Sequence, residues 1–313
     1  MTDSELKTTI DTLIEKEGLP QNYATTVKQT ILPLIEQIVS LRNAKKRTVV
    51  VGIHGAQGTG KSTLALFLNR LLCDHWQYPT ASFSLDDLYL TRAERRALAE
   101  QVHPLFMTRG VPGTHDVELG EWVIDQLRTA GPGDHTRIPA FDKSHDDRVP
   151  SSGWPVFDGR AEVILVEGWC LGALPEEENA LADPLNALEA EEDPSGTWRR
   201  YVNQCLKGKY QEFFSELDSL IMLKAPSMSR VLEWRTLQEH KLAEKVSSAL
   251  NERTSANAAQ DLRIMSDQEV IRFIMHYERV TRSCLKQLPS RADALIEVSG
   301  DHALSRPHFR TQS

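Results

Sequence analysis

The run from Val49 to Thr63 places Gly55, Gly60, Lys61 and Ser62 at the spacing G-x-x-x-x-G-K-[ST]. Glycines let a chain curl tightly and turn successive N–H groups inward, so a loop of this kind cradles phosphate oxygens. An apolar stretch rich in β-branched residues precedes it and a helical pattern follows it, so the helix adds the positive end of its dipole. Gly55, Ala56, Gln57, Gly58, Thr59, Gly60, Lys61, Ser62 and Thr63 are therefore the candidate nucleotide-binding residues. Lys61 is positioned to act on the β- and γ-phosphates and Ser62 to hold Mg²⁺, which makes a nucleoside triphosphate with Mg²⁺ the expected ligand.

Carboxylates follow two other apolar runs. Asp86 and Asp87 come directly after Ala81–Leu85, and Glu167 ends the run Glu162–Gly168. In open α/β sheets ligands bind at the carboxyl ends of the strands. A carboxylate there can take the proton of an attacking hydroxyl, so Asp86 is the candidate general base and, with Lys61, the candidate catalytic pair. Asp87 is a candidate for capping or for the acceptor, and Glu167 joins Ser62 as a candidate for Mg²⁺ through water. Two Pro- and Gly-punctuated loops, 103–115 and 138–160, should flank the same strand ends. They and the helix start at 116 supply Arg109, His115, Asp142, Lys143 and Arg148 as candidates for the acceptor. Arg230 and Arg235 lie on a long helical segment that could close as a lid over the transferred phosphoryl group. There is no Asn-Lys-x-Asp guanine-reading segment and no transporter signature. These features favour a small-molecule kinase over an NTP-dependent regulatory protein, because a pure switch needs no acceptor pocket.

Six segments carry a family resemblance. They are Gly55–Ser62, Ser84–Thr91, Arg109–Asp116, Ile138–Ser144, Val166–Trp169 and Glu233-Trp-Arg235. In order they resemble the motifs of the D-glycerate 3-kinase family, P-loop kinases related more distantly to pantothenate kinase, uridine kinase and phosphoribulokinase. The resemblance spans about residues 48–300, and Arg-Gly-x-Pro-Gly-Thr-His-Asp and Phe-Asp-Lys-Ser are its specific parts. It implies ATP as the donor, Asp86 at the position of the base, and a small hydroxy acid as the acceptor, D-glycerate first. Leu88 stands where relatives usually carry Phe, a change of packing. A pantothenate- or uridine-type acceptor is the alternative within the same class.

The elements that must position these residues alternate. Strands are expected at about 48–54, 81–85, 162–168, 220–223 and 294–298. Helices are expected at 91–102, 116–129, 198–214, 227–250 and 267–286, and directly after the P-loop. Strands alternating with helices imply an α/β P-loop NTPase fold: an open parallel five-stranded sheet with helices on both faces. Residues 1–45 read as a helical extension broken at Gly18-Leu-Pro20, and 46–313 as one kinase domain.

Bulk properties narrow the partners. The 313 residues carry 36 basic and 44 acidic side chains, for a formal charge of −8. That argues against a broad nucleic-acid or acidic-membrane footprint. No apolar run approaches the roughly 18 residues of a membrane span, and the N-terminus lacks the pattern of a signal peptide. Cys73, Cys170, Cys205 and Cys284 have no metal spacing and read as free thiols in a reducing cytoplasm. Residues 174–196 hold eight acidic residues and no basic ones, most simply a solvated loop. The oligomeric state is left open.

Overall fold

The computed structural model describes residues 3–252 and 265–310; residues 253–264 and 311–313 of the expected kinase domain lie outside them. Helices α1 (Asp3–Lys16), α2 (Tyr23–Thr26) and α3 (Leu32–Lys45) come first, the last two joined by a wider turn over Val27–Ile31. Strand β1 (Val49–Gly55) feeds the P-loop and α4 (Lys61–Asp74). β2 (Thr80–Ser84) ends in a tight 3-10 turn, Leu85–Leu88, and α5 (Arg92–Gln101) and α6 (Val117–Thr129) follow. Two nested hairpins come next, formed by β3 (His135–Arg137), β4 (Phe141–Asp142), β5 (Asp147–Arg148) and β6 (Val156–Asp158). β7 (Val163–Gly168) leads through α7 (Ala187–Glu192), α8 (Thr197–Lys207) and α9 (Lys209–Ser215) to β8 (Ser219–Lys224). The long helices α10 (Met228–Glu252) and α11 (Asp267–Gln287) precede β9 (Ala294–Glu297) and β10 (His308–Phe309).

The main sheet has the order β10-β9-β8-β1-β7-β2. Five of its strands are parallel, as the alternating pattern predicts, and β10 adds an antiparallel edge against β9. Two residues are too short a run to show periodicity, so β10 was not legible. Nor were the two small hairpins, whose strands β4, β5 and β6 fall in the segment 138–160 that reads as loop.

Every residue of β1 is buried, because both faces of a parallel sheet are covered. The faces separate with period two. Val50, Ile164 and Val166 join one buried cluster with Phe83, Val123 and Phe213. Val49, Val51, Ile53 and Leu165 join the other with Leu64, Leu68 and Leu71 of α4. The second cluster also holds Ile10, Ile14, Ile31 and Ile35, so the N-terminal helices are part of the sheet's own core.

Register decides what meets at the carboxyl ends. Ser84 of β2 pairs with Glu167 of β7, and Glu167 pairs with Ile53 of β1. The P-loop, Glu167 and the Asp86-Asp87 turn are therefore neighbours by topology.

Candidate active site

The phosphate loop is built on glycines that need left-handed backbone. Gly58 has φ +81° and Gly60, which caps α4, has φ +87°. The buried Thr59 closes the turn by donating its hydroxyl to the Ala56 carbonyl at 2.8 Å. The first N–H groups of α4 have no partner within the helix and are free in principle for phosphate oxygens. Lys61 Nζ lies 3.3 Å from the Ala56 carbonyl and has no carboxylate partner among its described contacts.

Beside the loop stand the carboxylates. Ser62 Oγ donates to Glu167 Oε1 at 2.8 Å. Asp86 and Asp87 sit on the 3-10 turn after β2, which Ser84 caps: its hydroxyl accepts from the Asp86 N–H at 3.1 Å, while Asp87 Oδ2 accepts from the Ser84 N–H at 2.9 Å. The two aspartates titrate in opposite directions. Burial pushes Asp87 up to about 6, aided by the negative charges of Asp86 and Glu167 and opposed by its hydrogen bond from Ser84. Burial also opposes ionisation of Asp86. It is outweighed there by the Lys143 ammonium, by hydrogen bonds from Lys143 and Tyr89, and by His115, so Asp86 falls to about 2. Lys143 Nζ donates to Asp86 Oδ2 at 2.7 Å, and the Tyr89 hydroxyl donates to Oδ1 at 2.7 Å.

The cation side is held rigidly. The Arg109 guanidinium pairs with Asp146 and lies over the rings of Phe141 at 5.4 Å and Tyr89 at 6.0 Å. Asp146 is in turn held at 2.9 Å by Arg95, which is fully buried and donates to the Met107 carbonyl at 2.8 Å. Tyr277 of α11 donates to the Arg109 carbonyl at 3.0 Å. Arg235 of α10 reaches the cleft paired with Glu239 and lies over Phe273.

These groups enclose one cavity of about 500 Å³. Lys61, Ser62, Thr63, Gln57, Gly58 and Gly60 line it from the P-loop, and Asp86, Asp87 and Glu167 from the strand ends. Arg109, Lys143 and Arg235 close the far side. Gly55, Ala56 and Thr59 lie buried beneath the loop and shape it.

Four expected site residues are placed elsewhere. His115 is buried behind Tyr89, stacked on its ring at 4.8 Å, with Nδ1 2.6 Å from the Tyr210 hydroxyl; burial pushes it down to about 4. Asp142 folds its own turn, accepting from the Ser144 N–H at 2.8 Å and from His145. Arg148 donates to the Tyr89 carbonyl at 2.9 Å and to Asp116 at 3.3 Å, which leaves it out of the cavity lining. Arg230 is exposed and pairs with Glu233 at 2.6 Å. In each case a nearer internal partner takes the group.

Other contributors went unnoticed in the sequence. Tyr89 follows Asp86 by three residues, one 3-10 turn on, a spacing that could have flagged it. Asp146, Arg95, Gln238, Phe273 and Tyr277 gave no local signal, because they meet the site only through tertiary packing.

The acidic segment differs from its expected reading as a solvated loop. Glu189 and Asp193 are fully buried. Glu189 receives Arg279 through both oxygens, at 2.8 and 2.6 Å, and Asp193 receives Arg199 at 3.0 Å.

Comparison with known proteins gives a consistent set of relatives. An uncharacterized kinase, mug58, of Schizosaccharomyces pombe is 34% identical over 239 residues, which cover 74% of this chain and 79% of that protein. The chloroplastic D-glycerate 3-kinase of Arabidopsis thaliana is 29% identical over 276 residues, 82% of this chain and 54% of the plant protein; the chain thus spans about half of that relative. Among solved structures, the D-glycerate 3-kinase of Cryptococcus neoformans superposes with a TM-score of 0.71 at 22% identity, covering 90% of this chain and 99% of that one. No family model matches the chain. Among the described residues no helix is long and apolar enough to cross a membrane.

Proposed function

The chain belongs to the D-glycerate 3-kinase family, an ATP-dependent small-molecule kinase with an alcohol acceptor, and from that premise we propose that it phosphorylates the 3-hydroxyl of D-glycerate. The observation that carries this reading is the shared cavity: Lys61, Asp86, Arg109 and Lys143 line one space of about 500 Å³. A phosphate-binding lysine, a carboxylate base and two cations suited to a carboxylate substrate thus face one another.

In this reading the P-loop and Lys61 hold the β- and γ-phosphates. Arg109 and Lys143 draw the acceptor carboxylate to the far side, where charge fixes orientation as well as affinity. The 3-hydroxyl oxygen attacks the γ-phosphorus. Its new bond forms as the β–γ bridging bond breaks, ADP leaves with that electron pair, and the hydroxyl proton passes to Asp86. The transition state is loose, so the proton leaves late and Asp86 acts as much by orienting the hydroxyl as by basicity. Asp87 supports the turn that presents Asp86, and Arg235 on α10 closes over the phosphate.

Mg²⁺ fits the donor set. The Ser62 hydroxyl and the Glu167 carboxylate are hard oxygen donors 2.8 Å apart on the P-loop side of the cavity. Mg²⁺ takes one or two protein oxygens and fills its remaining positions with phosphate oxygens and water. Ser62 and Glu167 would hold it, Glu167 through water. When bound it would neutralise charge developing on the phosphates. The four free thiols are in keeping with a cytoplasmic location, which we retain as part of the proposal.

The test is a product assay. Purified enzyme is given Mg-ATP with D-glycerate, L-glycerate, pantothenate or uridine, and the phosphorylated product is identified by ³¹P NMR. The expected product is 3-phosphoglycerate from D-glycerate. Ready phosphorylation of uridine or pantothenate with D-glycerate left untouched would overturn the acceptor assignment.

A further inference from the structure

One contact in the cleft sits awkwardly with simple base catalysis. Both oxygens of Asp86 are occupied by donors, Oδ1 by the Tyr89 hydroxyl and Oδ2 by the Lys143 ammonium, each at 2.7 Å. In that state Asp86 is a weak base and its outer oxygen is covered. The other cleft cations are differently held. Arg109 is fixed by Asp146 and two aromatic rings, and Arg235 by Glu239 on its own helix. Lys143 alone among the lining cations is paired with the base.

Lys143 is also the cation most free to leave. Its side chain is 62% exposed, against 27% for Arg109 and 17% for Arg235. It projects from the short turn between β4 and β5 on four rotatable bonds. An ion pair this exposed is weak and readily exchanged.

We propose that Lys143 is a latch on Asp86 which the acceptor's own carboxylate releases. The idea rests on the acceptor being an anion, as in the function proposed above. An incoming carboxylate competes for the ammonium, Lys143 swings to it, and Oδ2 is uncovered facing the substrate hydroxyl. The same movement removes the nearest positive charge from Asp86, so burial then raises its proton affinity. The base strengthens only when the correct anion is seated. Water in the place of the hydroxyl meets a covered, weak base, and ATP is spared from hydrolysis.

The other titratable groups facing Asp86 do not act as this trigger. Tyr89, Tyr277 and Cys170 are all pushed up by burial and stay neutral. His115 is pushed down to about 4 and is neutral as well. Asp87, pushed up to about 6, titrates near neutrality, so the test is made at fixed pH 8, where it is ionised throughout.

The experiment measures ATP hydrolysis with no acceptor present. Lys143→Met is expected to hydrolyse ATP about tenfold faster than the parent, a modest part of the full effect of a general base. Its KM for D-glycerate should rise by at least about tenfold. Acetate, a carboxylate with no hydroxyl to phosphorylate, should stimulate hydrolysis by the parent and leave Lys143→Met unaffected. The acetate measurement needs no variant, so a folding defect cannot mask it. Equal hydrolysis by the parent and Lys143→Met, or no response of the parent to acetate, overturns the latch. Failure of D-glycerate as a substrate would appear in the product assay of the parent instead, so the two ideas fail separately.

Discussion

A Cβ atom added to Gly58 would lie 2.6 Å from the Cβ of Trp234. The root of α10 is thus packed directly on the phosphate loop. Trp234 is buried, and its ring lies 4.6 Å from that of His302, whose Nδ1 is 3.1 Å from the Gly58 carbonyl. Gly58 is held to glycine twice, by φ +81° and by this contact. Gly58→Ala should therefore displace the loop and raise the KM for ATP by about tenfold or more, since a misplaced loop loses charge-assisted hydrogen bonds to phosphate. Gly133, at φ +89° with open space around it, is the control. Gly133→Ala carries the same backbone strain and should leave ATP binding unchanged. Steady-state kinetics on the two variants decides the matter; equal ATP affinity in both would mean that the contact with Trp234 does not matter.

The catalytic pair gives a second prediction. Asp86→Asn keeps the shape of the turn and removes the proton acceptor, so kcat should fall by roughly 10²–10⁴ with little change in the KM for ATP. Lys61→Ala should abolish phosphoryl transfer without lowering Tm, because its ammonium acts on phosphate charge and has no carboxylate partner among the described residues. A kcat for Asp86→Asn within a few-fold of the parent would move the base to another residue, Asp87 being the nearest carboxylate.

The two arginines expected from sequence to bind the acceptor should separate kinetically. Arg109 lines the cleft, so Arg109→Leu should raise the acceptor KM roughly ten- to a hundredfold, the worth of a charge-assisted pair. Arg148 holds the Tyr89 carbonyl, and Tyr89 holds Asp86. Arg148→Leu should therefore act on kcat through the turn that presents the base and leave the acceptor KM nearly unchanged. An acceptor KM raised equally in both variants would place Arg148 in the binding site after all.

That contrast shows what was legible. The P-loop, the strand ends and the five parallel strands follow from local rules: glycine spacing, apolar runs, and carboxylates at carboxyl ends. All were readable because each needs only a few neighbouring residues. Which loop cation faces the cavity was not readable. Arg109 and Arg148 look alike in sequence, and only the packing of Tyr89, Phe141 and Asp116 turns one toward the cleft and the other away from it. The same limit hid Tyr277, which reaches Arg109 across 168 positions of chain.

Asp87 gives a stability prediction with a definite sign. Its carboxyl is raised in the fold to about 6 from an ordinary 3.8. The folded state thus holds the proton more tightly than the unfolded state. The stabilisation is fully present below about 3.8 and is lost as pH rises through 6. Ionised Asp87 is therefore a burden at pH 8. Asp87→Asn retains an oxygen for the Ser84 N–H and should stabilise the nucleotide-free protein by about 1–2 kcal/mol at pH 8, discounted for a partly exposed group. Thermal melts at pH 8 and pH 5 test this: the variant's advantage should shrink at the lower pH. An advantage equal at both values would mean that Asp87 titrates normally.

The acidic stretch carries the last prediction. Read as sequence, eight acidic residues with no base among them suggest a solvated loop. Its partners lie outside it, on α8 and α11, where no local pattern could reveal them. Arg279 grips both oxygens of the fully buried Glu189 and also donates to the carbonyls of Ala180 at 2.8 Å and Asp183 at 2.9 Å. One guanidinium thus closes the turn before α7 onto α11, the helix whose Phe273 and Tyr277 line the cleft. Removing one member of a buried pair leaves an uncompensated charge, which costs about 3–5 kcal/mol. Arg279→Met should therefore lower Tm sharply. The double variant Arg279→Met/Glu189→Leu removes both charges and should recover most of that loss, because an apolar pair of similar volume can replace a buried ion pair. The acceptor KM should follow Tm in both variants, since Tyr277 on the same helix holds the Arg109 carbonyl. A double variant no more stable than Arg279→Met alone would show that the carbonyl contacts, and not the ion pair, fasten this segment.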